Sequence, residues 1–373
     1  MAQIISFSKF GSGKNGSPAV SGTINTYASC TGTATQTSLT TELSASAGDI
    51  ILIHQSQGTG VGQWELNYVL ADEGATLTLG LPLAYSYTTG AQAVLVPQYT
   101  GGTLSGAVTG TAWNGTVGGI IALMSNGALT ISGSLNINGG NGVYSTGNPA
   151  GGTGGGFRGG AGNADSGSPN HGYQGEGHTG IGGTGADAYV ANGNGGGTGV
   201  QTGDPGRCYG GGGSNGGAGS NGSGGYNGTD GYGATTVTST ANLTTMTFGG
   251  GGGGGAREAT NQTGSGAAGS GIVFIVGREI VVSGSIVANG GEGGGTERDG
   301  GGGAGGSILI KAGKATLGTN LVTATGGNQS LSGTGGAGRI HLDYYGAYTG
   351  TTTPTLDVAQ DTTLTPPIHG GMI

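Results

Sequence analysis

Charged side chains are scarce in this sequence. Lys and Arg number 10 and Asp and Glu number 18 among 373 residues, which is 8% of the chain, whereas ordinary soluble domains carry about 25%. So few basic residues leave no basic patch for a polyanion, and we expect no nucleic-acid partner. Apolar runs are short as well. Because none approaches the roughly 18 residues of a spanning helix, we expect no membrane insertion.

Proline and cysteine are also rare. The 9 Pro residues and the missing Gly-X-Y period exclude collagen. Cys30 and Cys208 lie far apart and give no disulfide framework, so we expect two small, unpaired apolar residues. The first twenty residues lack an uninterrupted apolar core and a cationic start, and they do not resemble a signal peptide.

Glycine is what the chain has in excess, with 97 residues of 373. Glycine loses more backbone freedom on folding than any other residue, so such a chain is either disordered or uses glycine for close backbone packing. Disorder usually goes with high net charge and few aromatics. Here the net charge is only −8 and there are 14 Tyr, which favours an ordered chain.

Residues 1–117 predict an all-β domain. Turn-bounded apolar stretches in this part alternate with period 2, as half-buried strands do. The spacing suggests a sandwich or a small barrel-like unit, and we expect a β-sandwich-like domain. The alternating positions are Trp64, Leu66, Tyr68 and Leu70, followed by Leu77, Leu79, Leu81 and Leu83.

An internal repeat begins after residue 118. Copies of three short β segments occupy 119–140, 271–291 and 307–327, and a fourth begins at 338. This length suits one coil of a parallel β-solenoid, whose single repeats cannot bury their own apolar face. We therefore predict a short solenoid over 118–350 and a C-terminal tail at 351–373. The first two copies should be adjacent, with their Ile and Leu positions in one core.

The first two copies are separated by a glycine-dense insertion, 141–270. It includes seven consecutive glycines, Gly249 to Gly255. A long insertion is either functional or disordered. It can also form extended threefold helices like polyproline II, in which seven residues span about 22 Å at about 3.1 Å each. Such helices must bond laterally, so we predict an ordered, polyglycine II-like insertion without α-helix.

Several strings resemble a known group of proteins. They are YSYTTGAQ at 85–92, VPQYT at 96–100, AWNGTVGGI at 112–120 and GFRGG at 156–160. These strings are similar to those of glycine-rich phage-associated surface proteins. The composition of 141–270 resembles the distal adhesins of tailed phages, in which polyglycine II helices present variable loops to a host receptor.

The resemblance implies a structural virion protein, either a tail-fibre or adhesin subunit or a decoration protein, that mediates host-surface attachment. It implies a place on the virion surface, contact with other virion proteins through residues 1–117, and a host cell-surface glycan or protein as receptor. It also implies a homo-oligomer. Two alternatives stay open: an extracellular or cell-surface filament protein, and a polysaccharide depolymerase.

Recurrent aromatics in the insertion have two interpretations. They are either packing spacers between glycine segments or an exposed receptor platform, for which Tyr offers rigid amphipathic area. The candidates for receptor contact are Phe157, Tyr173, Tyr209, Tyr226 and Tyr232.

No catalytic or metal pattern emerges from the sequence. A depolymerase needs two facing carboxylates, whereas the acidic residues here are scattered among glycines. His171 and His178 alone do not make a metal site, and no Gly-Lys-Ser/Thr follows a glycine run. We predict no catalytic residue, no metal and no cofactor, and hence no enzyme. The acidic residues considered are Glu176, Asp187, Asp204, Glu292, Glu297 and Asp299.

Overall fold

A computed structural model describes residues 9–18, 21–164, 171–202, 206–237, 239–257, 262–295, 300–328 and 331–364. The described chain is all-β, as predicted, and contains no helix. It therefore offers no helix long and apolar enough to cross a membrane. Cys30 and Cys208 are buried and unbonded to each other, which confirms the prediction made for them.

Six strands close into an N-terminal barrel, where the sequence predicts a β-sandwich-like domain. The ring order is β1-β2-β5-β4-β3-β6, and it closes because Tyr27 of β1 pairs with Val94 of β6. The barrel interior holds a cluster of aliphatic residues such as Leu39, Ile51 and Leu77. The strands are β1 (Tyr27–Thr31), β2 (Ser38–Thr41), β3 (Ile50–Gln55), β4 (Trp64–Asp72), β5 (Thr76–Leu79) and β6 (Ala91–Val96).

The remaining strands follow along the chain in three groups. Before the insertion lie β7 (Gln98–Tyr99), β8 (Gly102–Leu104), β9 (Ala107–Thr109), β10 (Ile120–Ile131) and β11 (Ser134–Asn136). Within it lie short pairs formed by β12 (Tyr144–Thr146), β13 (Val200–Gln201), β14 (Arg207–Cys208), β15 (Gly228–Thr229), β16 (Ala256–Arg257) and β17 (Gln262–Gly264). After it lie β18 (Ile272–Val282), β19 (Ser285–Val287), β20 (Ser307–Thr323), β21 (Arg339–Tyr344), β22 (Tyr348–Thr353) and β23 (Asp357–Gln360).

The repeat copies stack as parallel strands. β10 pairs with β18 in register, Ile120 opposite Ile272 and Ile131 opposite Val282, although 130 residues separate the two copies in the chain. β18 pairs in turn with β20, and β20 with β21 and β22. The predicted adjacency of the copies is confirmed. All four belong to one curled parallel sheet.

The prediction of a single core for these strands is wrong, because their apolar residues alternate between two faces. Ile121 and Val273 lie in one buried cluster inside the curled sheet. Ile120 and Ile272 lie in a second cluster on the other face. Parallel strands buried on both sides carry near-continuous apolar runs, so the runs alone do not show that they serve two cores.

The second cluster joins all parts of the molecule. It contains Leu52 from the barrel, Phe274 from the parallel sheet, and Phe157 and Phe248 from the glycine-rich insertion. A loop ahead of the polyglycine run also enters it, and the indole Nε1 of Trp64 donates to the Leu243 carbonyl at 2.9 Å. Barrel, sheet and insertion therefore share a continuous hydrophobic interior.

Candidate functional site: a glycine lattice and its exposed end

Extended glycine-rich segments lie side by side next to the parallel sheet, and we call them the glycine lattice. Over the described residues of 141–270 the chain contains no helix and its extended segments bond laterally, as the sequence predicts. The segments are 137–164, 171–202, 206–236, 248–257, 262–271, 288–295, 300–306, 324–328 and 331–338, each within the described residues.

The run Gly249–Gly255 lies in the middle of the lattice. Its amide groups donate in three directions, and each direction recurs at every third residue with N–O distances of 2.8 to 3.1 Å. A threefold extended helix places its amides this way. The donor and acceptor residues are Gly249 to Ser270, Gly252 to Ala267 and Gly255 to Gly264; Gly250 to Ser214 and Gly253 to Gly211; and Gly251 to Glu176 and Gly254 to Tyr173.

The carbonyl groups of the same run accept from three further stretches of chain, again with a period of three. Every amide and carbonyl of the run is thereby paired with one of six neighbouring stretches, two of which belong to the segment 171–202. The run makes no hydrogen bond within itself, so this lateral pairing satisfies its buried backbone. The donors are Phe157, Gly160 and Asn163; Gly301 and Ala304; and Gly196 and Gly199.

Close packing explains why these positions are glycine. None of the seven has a positive φ, so other residues could adopt the backbone conformation. The space is what excludes them. A Cβ added to Gly252 would lie 2.0 Å from the carbonyl oxygen of Gly301, and one on Gly250 would lie 1.7 Å from that of Asn194.

At the end next to the parallel sheet, the lattice packs on a cluster of aromatic side chains. Phe157, Trp113 and Phe248 are fully buried, with ring centroids 5.2 to 6.1 Å apart. Edge and tilted contacts of this kind add stability beyond area burial. This end of the lattice is therefore fixed to the second hydrophobic cluster.

The opposite, distal end is where the chain turns between segments. The Asn163 amide donates to the Gly255 carbonyl and the Gly255 amide donates to the Gly264 carbonyl, so these three residues lie at the same height along the lattice. Beside them, the Ser265 amide donates to the Val143 carbonyl. Connections carried on rigid elements are the usual places for binding residues. Among the described residues, the connections 143–149 and 222–231 lie at this end, together with the segment ends at 164, 171, 202, 206, 257, 262, 295 and 300.

The five predicted receptor contacts separate into buried and exposed residues. Phe157 and Tyr209 are fully buried, so as placed here they cannot touch a receptor. Tyr226 is 59% exposed and bonds Arg207 at the distal end. Tyr173 and Tyr232 are about half exposed on the flanks. The structure thus does not unite the five in one platform, and receptor contact by the three exposed ones stays a prediction.

Glu176 has a structural environment. It is 3% exposed, and Arg158 neutralises it through Nε at 2.8 Å and Nη2 at 3.3 Å. The backbone amide of Arg158, the indole of Trp113 and the amide of Gln57 also donate to its carboxylate. A buried carboxylate needs such partners. Glu176 thus joins the barrel to the lattice, a role that the sequence does not indicate.

The other predicted polar candidates form no site in the described chain. Asp187 and Glu292 are exposed and single, whereas Asp204, Glu297 and Asp299 lie outside the described residues. His178 bonds Asn194, and burial lowers its pKa. Over the part of the chain described, no cluster of His, Cys, Asp or Glu has the arrangement of a metal site.

Comparisons with protein-family models, with curated proteins and with solved structures find no match for this chain. The argument for function therefore depends on the geometry of the molecule itself.

Proposed function

We propose that this chain is an adhesive structural protein on a particle surface, a virion tail fibre, adhesin or decoration subunit. The observation that supports this best is the glycine lattice, whose laterally bonded segments bring many of their described ends to one side. Connections anchored in this way keep their relative positions when they meet a large partner. In this proposal the distal end meets a glycan or protein of the host surface.

The finer architecture belongs to the same proposal. We interpret the stacked copies as a short β-solenoid and the lattice as polyglycine II, since the hydrogen bonds recur every third residue. The barrel attaches the chain to other virion proteins, and copies associate as a homo-oligomer. Because the solenoid and the lattice share one core, they would move little relative to each other, and the tip would keep its position relative to the anchor.

Catalysis is not part of the proposal. A depolymerase needs a carboxylate that is free to meet a sugar and a second one across the cleft. Glu176 is buried and its carboxylate accepts from five donors, two of them on the Arg158 guanidinium, so it is not free to meet a sugar.

The proposal is tested first by location. Immunogold labelling and mass spectrometry of purified particles should find the chain on the virion surface, and its absence from particles would refute the virion role. A second assay measures binding of the purified chain to host cells. Tyr226→Ala and Tyr144→Ala at the distal end should weaken it about tenfold or more, whereas exposed Leu70→Ala on the barrel should not.

A further inference from the structure

An open cleft of about 350 Å³ lies on one flank of the lattice. Its floor and walls come from three extended stretches, 150–153, 158–161 and 173–176, together with the loop residues Ile181 and Gly182. This volume is at the lower end of the range of small-molecule sites. The cleft lies on the flank of the lattice and adjoins its distal end, because Ala150, Ala161 and Tyr173 are one to three residues from positions 149, 164 and 171.

Three polar groups that line the cleft are unused. Among the described residues, the Ala161 amide and the Thr153 hydroxyl have no hydrogen-bond partner, and Arg158 has none at Nη1. The threefold period gives the direction of the Ala161 amide. Three residues earlier, the Arg158 amide points to the Glu176 carboxylate, which also lines the cleft. The Ala161 amide is therefore directed to the same side.

Two large, exposed side chains of the lining are Tyr173 and Ile181, whereas the Gln174 amide is bonded to Val190 and Gly183. Tyr173 is 44% exposed and Ile181 is 78% exposed, although both are large and adjoin a concave surface. Tyrosine presents a flat apolar face with a polar edge. The cleft thus combines an aromatic wall, an aliphatic wall and separate hydrogen-bonding groups.

The charges of the cleft cancel. The Arg158 guanidinium is bonded through two nitrogens to Glu176, so the pair carries no net charge. An ion of either sign would therefore find no unbalanced charge of this pair to bond with. The electrostatics therefore favour a neutral ligand with several polar groups.

We propose that this cleft is a binding site for a neutral saccharide unit. One face of a pyranose ring is apolar and packs on Tyr173, while its hydroxyls both accept and donate. One ring hydroxyl accepts from the Ala161 amide, and another bonds the Thr153 hydroxyl or the outer edge of Arg158. The proposal rests on the lining of the cleft and not on receptor contact by the connections of the distal end.

Other occupants suit the cleft less well. A purely apolar molecule would cover the Ala161 amide without bonding it, and a buried unpaired donor costs about 1–3 kcal/mol. An extended glycine-rich segment from a second copy could bond the amide. However, such a segment has no side chain to cover Tyr173 and Ile181.

The experiment is saturation-transfer NMR on the full chain with a panel of methyl pyranosides: glucoside, galactoside, mannoside, rhamnoside and N-acetylglucosaminide. At least one should show transfer concentrated on one ring face, and titration of that glycoside gives its dissociation constant. A panel without any transfer overturns the proposal.

Two variants locate the site, and one serves as control. Tyr173→Ala should weaken binding at least tenfold. Ala161→Pro removes one amide hydrogen at a position whose extended backbone suits proline; it should weaken binding about fivefold to tenfold and leave thermal unfolding unchanged. Tyr345→Ala, an exposed tyrosine that follows β21 and does not line the cleft, should bind as the parent does.

The contrary outcomes are distinct. Unaltered affinity in Tyr173→Ala would place the sugar elsewhere. Unfolding of Ala161→Pro would show that the amide faces protein and not the cleft. Sedimentation that finds a dimer lost on Tyr173→Ala substitution would assign the cleft to a second copy. Absence of the chain from virions, by contrast, would leave the saccharide site unaffected.

Discussion

Gly252 and Gly301 approach so closely that a Cβ on Gly252 would lie 2.0 Å from the carbonyl oxygen of Gly301. The obstacle is backbone on every side, so it cannot move aside as a flexible side chain would. We expect Gly252→Val to destabilise the fold by about 3 kcal/mol or more, at the upper end of overpacking effects. Urea denaturation followed by circular dichroism measures the change.

Ser220→Thr is the control for that substitution. Ser220 is exposed, and its hydroxyl accepts from the Thr334 amide, which a threonine hydroxyl can also do. Its stability should stay within about 0.5 kcal/mol of the parent. An equal, small effect of both substitutions would show that the lattice is loose around Gly252.

The stacked sheet gives a second prediction. Ile131 is fully buried inside the curled sheet, opposite Val282, whereas its neighbour Thr130 points outward and is partly exposed. Ile131→Asp should prevent folding, because a buried unpaired charge is strongly disfavoured. Thr130→Asp should fold. Limited proteolysis of both variants distinguishes them, and a protease-resistant Ile131→Asp would contradict the placement of that strand.

The repeat could be predicted because each copy is recognisable from its own short stretch of sequence. Strands at 120 and 272 carry the same apolar run, so their stacking follows from pattern alone. The sequence does not decide between a sandwich and a small barrel, because the closing pair, Tyr27 with Val94, joins residues far apart without a local turn signal. The burial of Phe157 could not be predicted either. Its neighbours in the sequence are glycines, and without the lateral hydrogen bonds of the lattice such a stretch resembles a solvated loop.

Glu176 gives a third prediction, for the junction of barrel and lattice. Glu176→Ala removes the acceptor of five hydrogen bonds and leaves the Arg158 charge without a partner. Loss of one member of a buried ion pair costs about 3–5 kcal/mol. Because Arg158 is 30% exposed, we expect about 2 kcal/mol, measured by urea denaturation. Exposed Asp187→Ala should change little, and equal effects would refute the structural role.

The last prediction concerns pH and His54. This side chain is fully buried against Phe248, and burial lowers its pKa from 6.5 to about 4. Its neutral form fits the site. Nε2–H donates to the Met246 carbonyl at 3.0 Å, and Nδ1 accepts from the Ser56 hydroxyl at 2.9 Å. A proton on Nδ1 would put a second donor against that hydroxyl, which already accepts from Gln92.

The sign follows from proton binding. Between pH 6.5 and about 4 the unfolded chain binds a proton at His54 that the folded chain does not, so stability falls as the pH falls through this window. At about 1.4 kcal/mol per pH unit, the loss of stability approaches about 3 kcal/mol at the lower end of this window.

His54→Gln keeps a donor and an acceptor but does not titrate, so its stability should decline less steeply over the same range. Urea denaturation of both proteins at pH 4.5, 5.5, 6.5 and 7.5 measures the two slopes. The other four histidines are common to both chains, so their contribution cancels in the difference. Parallel curves would mean that His54 accepts a proton in the folded state, and the enclosed site described for it would then be wrong.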